Sequence, residues 1–141
     1  MTPRNEDGGF SKEERAAMKE RAKELKTNAK AEEAAAEVAK KIAELDGVDK
    51  KVAEALDAIV KEHAPDLTPK TYYGMPGYAK DSKILVFYQP GAKFGTKYGT
   101  VGFQDNAAID DGSMFPVAYG FTGLTETDKK QLASLVKKAA S

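Results

Sequence analysis

The chain contains no cysteine and no tryptophan among its 141 residues, and only one histidine. The absence of cysteine excludes thiol nucleophiles, disulfides, iron–sulfur ligation and cysteine-based zinc sites. The single histidine, His63, falls at the predicted C-terminal end of a helix, where a protonated imidazole favours the negative end of the helix dipole. A G-x-S-x-G sequence is also missing, so we find no nucleophile and base for covalent hydrolysis and expect no enzyme of that type.

An excess of charge of one sign is missing too, because 22 basic residues balance 22 acidic residues. Such a chain lacks the broad positive field that binding to phosphate backbones requires, so we expect no nucleic-acid partner. It has no run of about 18 apolar residues, and residues 1–9 contain no apolar stretch of the kind that a secretory signal needs. We expect a cytoplasmic protein without membrane contact, a monomer or weak homodimer whose partner is a protein or a small molecule.

The chain does contain a polar, charged first half and an aromatic second half. All of the tyrosines, and every phenylalanine except Phe10, follow residue 70. This division predicts helices first and a sheet after them. The expected fold class is α+β, with a curved antiparallel sheet packed against helices from the N- and C-terminal parts of the chain.

The first predicted helix is highly charged and poor in apolar residues. Ser11 and Glu14 have the spacing of a capping box, which starts a helix that runs to about residue 26. Met18 and Leu25 are its main apolar positions, so tertiary packing adds little to its stability. We therefore expect a loosely docked N-terminal leader helix.

The leader is predicted to cover residues 1–28, and residues 29–141 are predicted to form a single domain. An alanine-rich helix is expected over residues 31–45. A third helix over residues 49–63 has the clearest apolar stripe of the first half, which predicts that it is the core helix. The positions of that stripe are Val52, Leu56, Ile59 and Val60.

The second half predicts several strands and a final helix. The strongest local prediction is a hairpin, in which Tyr78-Ala79 and residues 84–88 are joined by a turn at residues 80–82. Further strands are expected over the ranges 71–73, 98–103 and 115–121, with long loops over 89–97 and 104–114. Thr125 is expected to cap the final helix.

The segment from Tyr72 to Tyr78 contains a Gly-Met-Pro-Gly break between tyrosines. The rings could form the walls of a concave ligand site, and a lysine of the neighbouring loop could bind an anionic group. The alternative is a β-bulge that bends the sheet, with the tyrosines packed on the core. Both interpretations stay open, and the candidate ligand-binding residues are Tyr73, Gly74, Met75, Pro76, Tyr78 and Lys93.

Two other segments invite a chemical interpretation. The glycine-rich residues 91–102 match neither nucleotide-binding spacing, which favours a structural loop that leads into a strand. Asp110 and Asp111 precede Gly112 in a loop rich in side-chain oxygens, which are the ligands that hard cations prefer. The same sequence is typical of an ordinary turn, so Asp110 and Asp111 are candidate metal ligands only if a cation binds.

Taken together, several segments resemble the YdhG-like family of small bacterial α+β domains, which is grouped with the YjbR and frataxin-like proteins. The segments that carry the resemblance are Tyr73–Tyr78, Phe87–Pro90, Lys93-Phe94, Gly102-Phe103, Asp110–Gly112 and Met114–Pro116. The resemblance implies a curved antiparallel sheet and no established catalytic residues. Some relatives are described as iron chaperones that bind iron weakly through surface carboxylates and deliver it to partner proteins.

Two functions are therefore expected as alternatives. The first is a non-catalytic binding or chaperone-type domain, with frataxin-like iron binding or delivery as the form that the resemblance implies. The second is a small-molecule-binding domain, or an undiscovered enzyme, that uses a tyrosine-lined pocket at residues 72–78.

Removal of the leader tests the predicted domain boundary. A chain that begins at Asn28 should unfold cooperatively at nearly the full-length melting temperature, because Met18 and Leu25 offer too little apolar area to offset the entropy of ordering a helix. Thermal unfolding followed by circular dichroism measures this. Loss of the cooperative transition would show that the leader belongs to the core.

Overall fold

The computed structural model describes residues 11–141, which form four helices and five strands. The chain divides into two units, Met1–Glu33 and Ala34–Ser141. The fold class is α+β, as the sequence predicts. The elements are α1 Lys12–Ala43, α2 Gly47–His63, β1 Thr68–Pro69, β2 Gly77–Lys80, β3 Lys83–Gln89, α3 Gly91–Phe94, β4 Gly99–Phe103, β5 Ala118–Phe121 and α4 Glu126–Ala139.

The five strands form one antiparallel sheet in sequence order. The predicted hairpin is confirmed: β2 and β3 pair from Gly77 opposite Phe87 to Lys80 opposite Lys83. Asp81 and Ser82 both have positive φ, which is the backbone of the tight turn that best matches the twist of paired strands.

The structure corrects the predicted break between the first two helices. A single helix, α1, runs without interruption through Thr27 and Asn28. The Thr27 hydroxyl donates to the carbonyl of Lys23 at 2.9 Å, so this polar side chain bonds within the helix instead of ending it. The alanine, glutamate and lysine residues on both sides favour continued helix.

Two further predictions of local structure were wrong. The strand expected over residues 71–73 is a tight turn, in which Tyr72 and Met75 exchange backbone hydrogen bonds of 2.8 and 2.9 Å. Tyr73 and Gly74 occupy its two central positions with positive φ. The loop expected over residues 89–97 contains α3, which ends at Gly95 in the left-handed conformation.

One core cluster joins the helices of the Ala34–Ser141 unit to one side of the sheet. Val38 and Ile42 enter it from α1, and the predicted apolar stripe of α2 is buried throughout. α4 begins at a capping box in which Thr125 and Asp128 bond each other's backbone N–H, as its sequence predicts for Thr125. In the other unit, Met18 and Leu25 are 53% and 56% exposed.

Truncation of the α2 stripe should be costly. Leu56→Ala and Ile59→Ala should each lower the free energy of unfolding by about 2–5 kcal/mol, because both side chains are buried and their removal leaves cavities. Urea denaturation measures the loss. Glu54→Ala, on the exposed side of the same helix, is the control and should change stability by less than about 0.5 kcal/mol. Losses below about 1 kcal/mol at both stripe positions would contradict the assignment of α2 to the core.

Candidate functional site

The two sides of the sheet differ in what covers them. Side chains of alternate residues point to opposite sides of a strand. One side joins the helices in the core and includes Tyr78, Val86, Tyr88, Val101 and Phe103. The other side, which we call the open face, consists of residues outside that cluster: Tyr72, Phe87, Gln89, Tyr98, Thr100, Gln104 and the glycines 77, 102 and 120.

Aromatic rings on the open face lie over glycines of neighbouring strands. Phe87 is paired with Gly77 on one side and with Gly102 on the other. A Cβ atom at Gly102 would lie 2.6 Å from the Phe87 ring, and one at Gly120 would lie 2.6 Å from the Tyr98 ring. The rings therefore rest on bare backbone, and a side chain at either glycine would displace a ring.

The rings extend in a row from the sheet to the preceding turn. The ring centroids of Phe87 and Tyr72 are 5.0 Å apart, and those of Tyr72 and Tyr73 are 4.7 Å apart. The Tyr72 hydroxyl accepts a hydrogen bond of 3.0 Å from the Gln104 amide. Tyr98 is 47% exposed. The open face thus presents apolar ring surface together with hydroxyl and amide groups.

On the helix side, two tyrosine hydroxyls donate to carboxylates of α2. Tyr88 bonds to Asp49 at 2.6 Å, and Tyr78 bonds to Asp57 at 2.8 Å. Asp57 also forms an ion pair of 2.7 Å with Lys61. Burial raises the pKa of Tyr78 and Tyr88 well above the ordinary value, and the neighbouring carboxylates raise it further. Both hydroxyls therefore stay protonated as donors.

Asp49 also holds the start of α3. Its carboxylate accepts the backbone N–H groups of Gly91 at 2.9 Å and Ala92 at 3.2 Å. Burial by itself raises the pKa of Asp49, but the bonds from Tyr88 and from the two backbone groups stabilise the charged form. Their net effect lowers the pKa below its ordinary value.

The predicted ligand-binding segment is divided between the surface and the core. Tyr73 is 82% exposed, whereas Tyr78 is fully buried. Met75 is buried with Tyr78, so neither contributes an accessible wall beside the Tyr73 ring. The structure therefore does not bring the two rings together around a concave site.

Three of the other candidates do meet at a cleft. The Lys93 ammonium donates to the Tyr73 carbonyl at 3.1 Å and lies over Gly74. Gly74, Pro76 and Lys93 line one side of a cleft of about 370 Å³, whose other side includes Lys41 and Glu44. The cleft carries side chains of both charges, so it presents no clear preference for an anion.

The candidate metal ligands Asp110 and Asp111 are both exposed. Within residues 11–141, no three acidic or histidine side chains come close enough together to hold a metal ion. Gly112 follows them with positive φ, which is typical of the turn that the sequence offers as the alternative.

The chain matches no protein-family model, no curated protein and no solved structure. Membership of the YdhG-like family therefore stays a prediction. No helix of residues 11–141 has the length and apolar character needed to cross a membrane.

Sequence reasoning missed the open face, although the sequence held a signal for it. Gly102 and Gly120 lie within the strands predicted over residues 98–103 and 115–121, where glycine often marks a close approach. Their aromatic partners, Phe87 and Tyr98, lie on neighbouring strands. Strand register, which places the rings over the glycines, was needed to connect them.

Replacement of the Asp49 carboxylate should change how the free energy of unfolding depends on pH in the acidic range. The pKa of Asp49 is lower in the folded protein than in the unfolded chain. The carboxylate therefore stabilises the fold above its unfolded-state pKa, and this stabilisation is lost as the pH falls through its folded-state pKa. Asp49→Asn should lower the free energy of unfolding at pH 7 by about 1–3 kcal/mol and flatten its fall below about pH 4. Urea denaturation at a series of pH values measures both effects.

The matched control is Asp46→Asn at the start of the same helix, where the carboxylate makes no capping hydrogen bond. This control should keep most of the stability at pH 7. An Asp49→Asn profile that parallels the parent at every pH would contradict the role assigned to the carboxylate.

Proposed function

We propose that this chain is a non-catalytic binding domain that holds a protein partner on the open face. The observation that carries the proposal is the aromatic surface of the open face, on the side of the sheet opposite the core. There Phe87 and Tyr98 rest on glycine backbone, and Tyr72 contacts Phe87. Apolar ring surface of this kind marks interaction sites, and tyrosine is enriched where partners bind most strongly.

The geometry supports binding because the rings are already ordered. Phe87 lies between Gly77 and Gly102, and it contacts Tyr72. A side chain fixed in this way loses little rotamer freedom when a partner covers it, so more of the contact energy appears as affinity. Tyr98, which is half exposed, offers both a ring face and a hydroxyl.

Polar groups beside the rings would orient the partner. Gln89 and Thr100 face each other across β3 and β4 on the open face, and both are partly exposed. Their amide and hydroxyl groups can donate and accept hydrogen bonds at the rim of an apolar contact. The side chains named above for the open face are uncharged, and the exposed Lys70, opposite Gly77, places a positive charge at its rim. The proposed partner surface is therefore apolar at its centre.

The other expected functions receive less support from the geometry. Iron delivery requires clustered carboxylates, and residues 11–141 supply no group of three. A tyrosine-lined pocket requires Tyr73 and Tyr78 on one surface, whereas Tyr78 is buried against α2. Binding on the open face is compatible with the predicted cytoplasmic location and with the predicted YdhG-like family, and it depends on neither.

Site-specific photocrosslinking tests the proposal. A benzoyl-phenylalanine at position 98, on the open face, should form a discrete adduct with a protein in living cells. The same group at position 94 is the control, because Phe94 is 48% exposed, close to the 47% of Tyr98, but lies on α3 instead of the sheet. Adducts that are absent, or alike at both positions, would contradict the proposal.

Affinity measurements with the purified partner complete the test. Tyr98→Ala should weaken binding about tenfold, because truncating an aromatic anchor of an interface costs more than about 1 kcal/mol. Phe94→Ala should leave the dissociation constant unchanged. Equal affinities for both variants would show that the crosslinked protein does not bind through the open face.

A further inference from the structure

β5 is the last strand of the sheet and pairs on one side only. The strand order ends at β5, whose neighbour is β4. No other strand of residues 11–141 pairs with its outer edge. Of the two edge strands, β1 has only two residues, so β5 is the longer edge.

The register shows which backbone groups point outward from β5. Phe103 N–H donates to the Val117 carbonyl, whereas Gln104 N–H donates to Leu85 on the opposite side of β4. Backbone groups of successive residues alternate between the two sides of a strand. The N–H and C=O groups of Ala118 and Gly120 therefore point away from β4, two residues apart.

A groove runs beside this edge, between β5 and α4. It has a volume of about 380 Å³. Its apolar lining comes from Phe121 of the strand and from Leu132 and Leu135 of the helix. Asp128, at the start of α4, is the one charged residue of the lining and accepts the Thr125 N–H. The other nine lining residues are uncharged, so most of the groove suits an uncharged occupant.

We propose that the β5 edge and this groove bind an extended peptide segment of a partner protein as a sixth strand of the sheet. Outward backbone groups that repeat every second residue match the repeat of an extended peptide chain. A peptide residue opposite Tyr119 would point to the helix side, into the groove. The segment therefore carries uncharged apolar residues at alternate positions.

The β5 edge is a different surface from the open face of the proposed function. The open face binds through side chains, whereas the edge binds through backbone hydrogen bonds. The two surfaces meet at Gly120, which lies under the Tyr98 ring and also lines the groove. Either one can fail its test without the other.

The test uses the full chain labelled with ¹⁵N and a terminally blocked pentapeptide of alternating threonine and valine. Titration should shift the amide signals of Ala118–Phe121 and Leu135 in a saturable way, and it should slow hydrogen exchange at Gly120. Two further probes carry N-methyl groups on the two valines or on the three threonines. Each probe therefore lacks the backbone N–H groups on one side of the peptide strand. One of these should bind at least fivefold more weakly.

A matched pair of variants removes the donor on the protein. Ala118→Pro deletes an N–H that points away from β4, so the pairing with β4 is retained, and binding of the parent peptide should weaken about fivefold. Ala118→Thr keeps the N–H and should bind as the parent does. Thermal unfolding of both variants checks that they fold.

Several results would overturn the inference. These are the absence of saturable shifts at β5, equal binding of the parent peptide and both N-methylated peptides, or equal binding to the Ala118→Pro and Ala118→Thr chains. Concentration-dependent dimers that Ala118→Pro abolishes, without peptide binding, would assign the edge to a second copy of the chain instead. If Ala118→Pro fails to fold, the methylated peptides on the parent chain still decide the question.

Discussion

Two buried phenol groups set the position of α2 on the sheet. A tyrosine hydroxyl that leaves water must find an acceptor, since an unpaired polar group in the core costs several kcal/mol. Both acceptors, Asp49 and Asp57, lie on α2, eight residues apart and so near one side of the helix. Their partners, Tyr88 and Tyr78, lie on adjacent strands. The helix is thus fixed to the sheet at two points as well as by apolar packing.

The Asp49 contact extends this constraint to a third element. The same carboxylate that accepts the Tyr88 hydroxyl also accepts two N–H groups at the start of α3. Gly99 lies so close that a Cβ there would clash with the Tyr88 hydroxyl and with Asp49. The start of the segment between β3 and β4 is therefore held by an interaction on the core side of the sheet.

Local patterns predicted what depends on neighbouring residues and missed what depends on distant ones. The Thr125 cap, the hairpin and the α2 stripe all follow from residues within a few positions of each other. The hydroxyl bonds of Tyr78 and Tyr88 join residues 21 and 39 positions apart, which no local period can connect. Because no local pattern shows the bond from Tyr78 to Asp57, the sequence made Tyr78 a candidate ligand-binding residue. The gap predicted between the helices that end near residue 26 and begin near residue 31 shows the opposite error, because helix propensity on both sides carries α1 through it.

The contact between Phe87 and Gly102 means that these two positions cannot vary independently during evolution. A larger residue at position 102 would fit only where position 87 had lost its ring, because both occupy the same space above the sheet. Related chains should therefore vary the two positions jointly, keeping either a ring with a glycine or two side chains of middle size. The first combination preserves a flat aromatic surface and the second abolishes it. A substitution pattern across descendants would thus record where the flat aromatic surface was retained and where it was lost.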